Sequence, residues 1–122
     1  MKIFSRGRYL LPLIGVLFLF TSCGEPSRAE YRDEAAETVC KEALRCENLG
    51  SSGIYEDYDE CMIKERARFN DMWSETHCGD GRINPDSFES CLDRAKLAAC
   101  DGGLLDLISA ADRCHRNRVC TN

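Results

Sequence analysis

The chain has 122 residues, which is long enough for one domain and too short for two independent cores. Acidic residues outnumber basic ones, with 21 Asp and Glu against 16 Lys and Arg, and this balance argues against a nucleic-acid-binding protein, which depends on basic surfaces. The nine cysteines are an odd number, so at least one of them stands outside any set of intramolecular disulfides.

Residues 1–22 have the composition of a secretory signal peptide. They contain Lys2, Arg6 and Arg8, no acidic residue, and an almost uninterrupted apolar run over 9–20. The run is shorter than the roughly 20 apolar residues that a membrane-spanning helix needs. We therefore expect an exported protein. Loss of the three basic residues leaves a formal charge of 13 − 21 = −8, which is typical of a soluble surface.

The cysteine that follows this segment is predicted to carry a lipid anchor. The sequence "FTSC" resembles the lipobox of bacterial lipoproteins, with Phe20 in the aliphatic position before two small residues. The resemblance implies that Cys23 is lipidated, that the chain is cleaved before it, and that Gly24 directs it to the outer membrane. Acyl chains on Cys23 would be its contact with the membrane, since two or more chains anchor firmly. Residues 23–28 would form a short tether.

Two helices are predicted in the first half of the remaining domain, 29–122. The first runs from Ala29 to about Leu49, and the turn "LGSSG" follows it. The second begins near Asp57, with Glu60 as the capping-box partner, and its inner face is apolar except for Glu65.

Two further helices follow, and no segment has a convincing strand pattern. The third helix begins with Asn84 as N-cap and Pro85 at its first position, and "DGG" ends it. The fourth runs from Leu104 to about Cys114. The predicted fold is all-α, with four short antiparallel helices joined by short loops.

Eight cysteines remain for disulfides, and the helix layout limits their pairing. The antiparallel arrangement places four of them at each end of the bundle, which reduces 105 possible connectivities to nine. Equal depth along the helices favours one of the nine. The predicted pairs are Cys40–Cys61, Cys46–Cys100, Cys78–Cys120 and Cys91–Cys114.

The sequence contains no motif that clearly indicates metal binding or catalysis. No two of these eight cysteines are closer than six residues, which argues against a zinc site or a redox C-x-x-C motif. The segment around Gly81 resembles the middle of an EF-hand loop, but Ser87 stands where the closing glutamate belongs. His77 and His115 are the only histidines, and no serine is marked as a nucleophile beside them. We predict no metal, no cofactor and no enzymatic activity.

Tyr55 and Tyr58 flank an acidic stretch in a Gly/Ser-rich loop. Such tyrosines could form a recognition surface. The alternative, which we favour, is that they pack over the loop and close the end of the bundle.

The cysteine order, with the "LG" and "YDEC" segments, resembles a family of small cysteine-rich lipoproteins from myxobacteria. The resemblance covers nearly the whole mature chain, and it is carried by Cys40, Cys46, Leu49-Gly50, Tyr55, Cys61, Cys78, Cys91-Leu92, Cys100, Cys114 and Cys120. That family is a domain of unknown function, sometimes labelled with natural-product biosynthesis from genomic neighbourhood, and the resemblance implies no catalytic residues.

The function that we predict is that of an envelope lipoprotein, held at the outer membrane, which acts as a non-enzymatic structural or interaction module for an unidentified envelope protein. A small ligand- or lipid-binding protein is the first alternative, and an apolar pocket of several hundred Å³ would favour it. A small hydrolase is the second, and it would require His77 or His115 to meet a carboxylate.

Overall fold

The computed structural model describes residues 24–50, 53–98, 100 and 104–121, with only the backbone of residues 98 and 104–108. The predicted signal peptide, 1–22, and the predicted lipid attachment site, Cys23, lie outside the described residues. Within the described part, no helix is both long and apolar enough to cross a membrane.

Helix α1, Arg28–Arg45, begins with a closed capping box. The Ser27 hydroxyl accepts a hydrogen bond from the backbone N–H of Glu30 at 3.2 Å, and the Glu30 carboxylate accepts one from the Ser27 N–H at 2.6 Å. The helix ends four residues before the predicted Leu49. The cause is a left-handed turn, because Glu47 has φ of 57° and cannot continue the helix.

Helix α2, Tyr58–Met72, begins at the predicted N-cap, Asp57. The Asp57 carboxylate accepts a hydrogen bond from the Glu60 N–H at 2.8 Å. The predicted capping box is wrong in one detail, because the Glu60 carboxylate accepts from the N–H of Glu56 at 2.5 Å, one residue before the N-cap.

The second half of the described chain has two long helices and two short ones. Helix α3 is Glu75–Cys78, α4 is Pro85–Ala98, α5 is Leu104–Cys114 and α6 is Arg116–Val119. Asn84 caps α4 as predicted, since its side-chain oxygen accepts from the Ser87 N–H at 3.0 Å. The four predicted helices are therefore present. The four-residue helices α3 and α6 were not predicted, because one turn is too short to show a periodic pattern.

No strand is formed by the described residues, as expected for an all-α fold, although two isolated bridges are present among them. One bridge joins Leu49 to Tyr55, and the other joins Ile83 to Cys120. The second is extended by a hydrogen bond from the Asn84 N–H to the Val119 carbonyl, at 2.9 Å.

Trp73 lies at the centre of the core and is fully buried. Its ring centroid is 4.8 Å from that of Phe69 and 5.9 Å from that of Phe88. Its indole N–H donates to the carbonyl of Cys114 at 2.8 Å, which satisfies the only polar atom of the side chain. The indole therefore joins α2 to α4 and α5.

All four predicted disulfides are formed. The bridge Cys40–Cys61 ties α1 to α2, and Cys91–Cys114 ties α4 to α5, with Cα–Cα distances of 5.8 and 4.6 Å. The bridges Cys46–Cys100 and Cys78–Cys120 have Cα–Cα distances of 5.0 and 5.2 Å. Two bridges lie at each end of the bundle, as the antiparallel layout requires.

Candidate binding cleft

A cleft of about 310 Å³ lies between the long helices. Its walls are mostly apolar. Each long helix contributes at least one wall residue, for example Val39 from α1, Phe69 from α2 and Ala95 from α4. We call this feature the α1–α5 cleft.

Small side chains create the space in the α1–α5 cleft. Four of the described residues that line it are alanines, contributed by three helices: Ala43, Ala95, Ala110 and Ala111. Protein interiors are packed so closely that voids larger than a water molecule are few. Alanines on three helices leave an open cleft here, because their side chains end at Cβ and do not fill the space between the helices.

Glu65 provides the buried charge of the cleft, with only 5% of its surface exposed. One of its carboxylate oxygens accepts a hydrogen bond from the phenol of Tyr55. The other accepts two from the Arg68 guanidinium, at 2.8 Å from Nε and 2.5 Å from Nη2. The carboxylate is thus both hydrogen-bonded and paired, which is the condition under which a charge can be buried.

Arg68 is held over the aromatic wall of the cleft while it pairs with Glu65. Its guanidinium carbon is 4.5 Å from the ring centroid of Phe69, a cation–π distance. Glu65 and Arg68 are three residues apart on α2, so the helix itself brings them to one side. This pair was not predicted. Its only signal was a glutamate on an otherwise apolar helix face, followed three residues later by an arginine.

Tyr55 is the one member of the predicted tyrosine pair that lines the cleft. Burial, the hydrogen bond to Glu65 and the negative charge of that carboxylate together raise the pKa of Tyr55 to about 12. Tyr58 is half-buried at the first position of α2. A role of either tyrosine in recognition stays a prediction.

The two histidines lie outside the cleft, each with a local partner. The His77 Nδ1 is 2.8 Å from the Ser74 hydroxyl and 3.3 Å from Nη1 of Arg116. His115 caps α6 by accepting from the Asn117 N–H at 3.3 Å. No hydrogen bond or ion pair among the described residues joins either histidine to a carboxylate, so the acid–base pair that a hydrolase would need is not assembled there.

The oxygens of the EF-hand-like segment serve structural contacts. Asn84 caps α4, and the Asp80 carboxylate accepts from the Arg28 N–H at 2.7 Å, which fastens the start of α1. In the described part of the chain, one group of potential metal ligands comes together, namely Glu42 with Cys46 and Cys100. Its two sulfurs form a disulfide and are not thiolate ligands.

Comparison with known proteins finds a matching family. A family model described as a family of unknown function, DUF6184, matches residues 40–122. The matched region begins at the first cysteine of the disulfide set and includes all eight, as well as every described residue of the cleft except Val39. No match was found among curated proteins or among solved structures.

Proposed function

We propose that this chain, which belongs to the family of unknown function DUF6184, is an exported, lipid-anchored domain of the cell envelope that binds a small apolar ligand and catalyses no reaction. The observation that carries the proposal is the α1–α5 cleft. Its volume of about 310 Å³ lies within the range of roughly 300–1,000 Å³ that small-molecule sites occupy.

The disulfides support binding, because they hold the walls of the cleft in place before a ligand arrives. Cys40–Cys61 fixes α1 against α2, and Cys91–Cys114 fixes α4 against α5. A preformed site loses less entropy when it binds than a site that must first be ordered.

The pairing of the polar groups supports a role without catalysis. Within the cleft, Glu65 is bound by Arg68 and Tyr55, so its carboxylate is occupied as an acceptor. Both histidines lie elsewhere. A general acid must have a proton to donate within reach of the reacting group, and a general base must have a free lone pair there. We infer that neither Glu65 nor the histidines fulfil this condition in the cleft.

The anchor rests on the lipobox resemblance at Cys23. We expect palmitate to be incorporated into the wild-type protein in cells and to be absent from Cys23→Ser. Incorporation that survives the substitution, or that fails in the wild type, would contradict the anchor. Cys46→Ser is the matched control, since it removes a cysteine of the disulfide set and should leave labelling intact.

The binding role can be tested by energy transfer from Trp73, the only tryptophan in the chain. Trp73 is packed against Phe69, which lines the cleft. The probe is prodan, an uncharged naphthyl ketone with a polarity-sensitive emission. We expect it to quench Trp73 in a saturable manner when it is added to the full lipoprotein in phosphatidylcholine vesicles.

Ala95→Leu should abolish this quenching, because the three additional heavy atoms of leucine occupy the space that the ligand needs in the cleft. Ala67→Leu is the matched control, since Ala67 is an exposed residue of α2 that does not line the cleft. If both variants quench like the wild type, the probe is bound in the lipid or elsewhere on the protein, and the binding role is wrong.

A second candidate function is the interaction module predicted from the sequence. It is favoured by four large aliphatic side chains that are mostly exposed: Leu44, Ile54, Ile63 and Leu97. Ile54, at 82% exposure, also lines the mouth of the cleft. A photocrosslinker in place of Ile54 should capture one envelope protein if this function is correct, and a crosslinker in place of the exposed Arg66 should not.

A further inference from the structure

We infer that the α1–α5 cleft selects an uncharged molecule with an apolar body and one hydrogen-bond acceptor, such as a ketone, ester or ether. The Glu65–Arg68 pair is the element that selects it. This inference rests on the proposed binding function and specifies the chemical class of the ligand.

The first step is charge balance. Glu65 contributes one buried negative charge, and Arg68 contributes one positive charge directly bonded to it. The pair is therefore neutral before any ligand enters. A charged ligand would find no unpaired counter-ion in the described lining, and an unpaired charge in an apolar site is strongly unfavourable.

The second step is the direction of the available hydrogen bonds. A guanidinium has five N–H donors and no acceptor. Arg68 gives one from Nε and one from Nη2 to Glu65, so three are not used in that pair. Tyr55 gives its single hydroxyl hydrogen to Glu65 and has none left to donate.

The third step is the location of these donors. The Arg68 guanidinium lies over the Phe69 ring, and both residues line the cleft. A ligand that packs against Phe69 can therefore place an acceptor beside the unused Arg68 N–H groups. A hydrogen bond to a charged partner is stronger than one between neutral groups. The geometry thus favours an acceptor on the ligand.

The inference can be tested with four naphthalene compounds of similar size in competition with prodan for the wild-type protein. They are naphthalene, acetylnaphthalene, naphthoate and naphthylmethylammonium. We expect acetylnaphthalene to bind best, naphthalene to follow, and the two ions to bind at least about tenfold more weakly than acetylnaphthalene, as expected when a charge is left unpaired.

Failure of this inference can be separated from failure of the proposed function. If naphthoate or naphthylmethylammonium binds as tightly as acetylnaphthalene, the cleft binds ligands but does not select uncharged ones, and the inference is wrong. If naphthalene equals acetylnaphthalene, the acceptor has no role and the inference is also wrong. If prodan itself does not bind to the wild-type protein, the proposed function fails.

Glu65→Gln gives a direct test of the charge balance. The amide retains the shape of the carboxylate but leaves the Arg68 charge uncompensated, so naphthoate should gain about tenfold relative to acetylnaphthalene. Glu60→Gln is the matched control, because Glu60 lies on the same helix, pairs with Lys64 and does not line the cleft. An unchanged preference in a folded Glu65→Gln protein would overturn the inference. If this variant does not fold, the wild-type competition series still decides it.

Discussion

Glu65 is the only charged side chain in the described core, and its environment explains why it is tolerated there. Tyr55 reaches it from the loop before α2, and Arg68 reaches it from the next turn of the same helix. The sequence marks Glu65 as the exception on an apolar face. It does not reveal the Tyr55 contact, because ten residues and a loop separate the two side chains.

Arg68→Ala should lower the free energy of unfolding by about 1.5–3 kcal/mol, since it leaves the buried Glu65 carboxylate without its charged hydrogen-bond donor. Arg66→Ala is the matched control on the same helix. Arg66 pairs with Asp33 at 3.3 Å, and both side chains are about half exposed, so its loss should cost less than about 1 kcal/mol. Urea denaturation measures both values, and equal losses would contradict the assignment of Glu65 and Arg68 as a stabilising pair.

Tyr55 should titrate near pH 12, later than an ordinary tyrosine with a pKa of 10.0. The folded-state pKa is raised, so the contribution of Tyr55 to stability is complete below pH 10 and is lost as the pH rises towards 12. The ultraviolet absorbance of phenolate, followed through this range, measures the titration. Tyr55→Phe should remove the late step from the curve, whereas a loss of absorbance change near pH 10 instead would show that Tyr55 titrates as an ordinary tyrosine.

At the scale of the elements, helix starts were easier to predict than helix ends. The caps Asp57 and Asn84 are local signals, and both act as predicted. The end of α1 depends on a positive φ at Glu47. Glutamate is not among the residue types that are enriched in the left-handed region, so the sequence does not indicate this turn. The Glu60 carboxylate can accept a hydrogen bond from the N–H of Glu56 or from that of Asp57. The spacing in the sequence does not determine which of the two N–H groups is bound.

Ser27→Ala should destabilise the fold by about 1 kcal/mol, because it removes the hydroxyl that caps α1 and opens the capping box with Glu30. Ser74→Ala is the matched control. Ser74 also precedes a helix, but its side chain makes no capping bond to the backbone, and α3 has only four residues. We expect a clearly smaller loss for Ser74→Ala in thermal and urea denaturation. A larger loss than for Ser27→Ala would show that the capping box contributes little.

At the scale of the whole molecule, the disulfide pairing was predictable and the cleft was not. The end of the bundle that each cysteine occupies leaves nine pairings, and equal depth along the helices favours the pairing that is formed. The cleft depends on which alanines face one another after packing. Ala43 and Ala95 are ordinary helix residues in the sequence, and only their positions across from each other in the bundle make a void.

The disulfides should open in an order set by their burial, because a thiolate must reach a sulfur before it can attack. Cys100 is exposed and Cys46 half-buried, whereas Cys40 and Cys61 are both fully buried. A mild reductant should therefore open Cys46–Cys100 well before Cys40–Cys61. Partial reduction, alkylation and mass mapping measure the order and the connectivity together.

Loss of the Cys46–Cys100 bridge should also have a large effect on stability despite its exposure. It joins residues 54 apart in sequence, so it removes more freedom from the unfolded chain than Cys40–Cys61, with a separation of 21. Replacing both cysteines by alanine should cost about 2–4 kcal/mol. Initial opening of Cys40–Cys61 would contradict the order that burial predicts. A bridge such as Cys46–Cys78 would contradict the layout, because the antiparallel bundle holds those two cysteines at opposite ends.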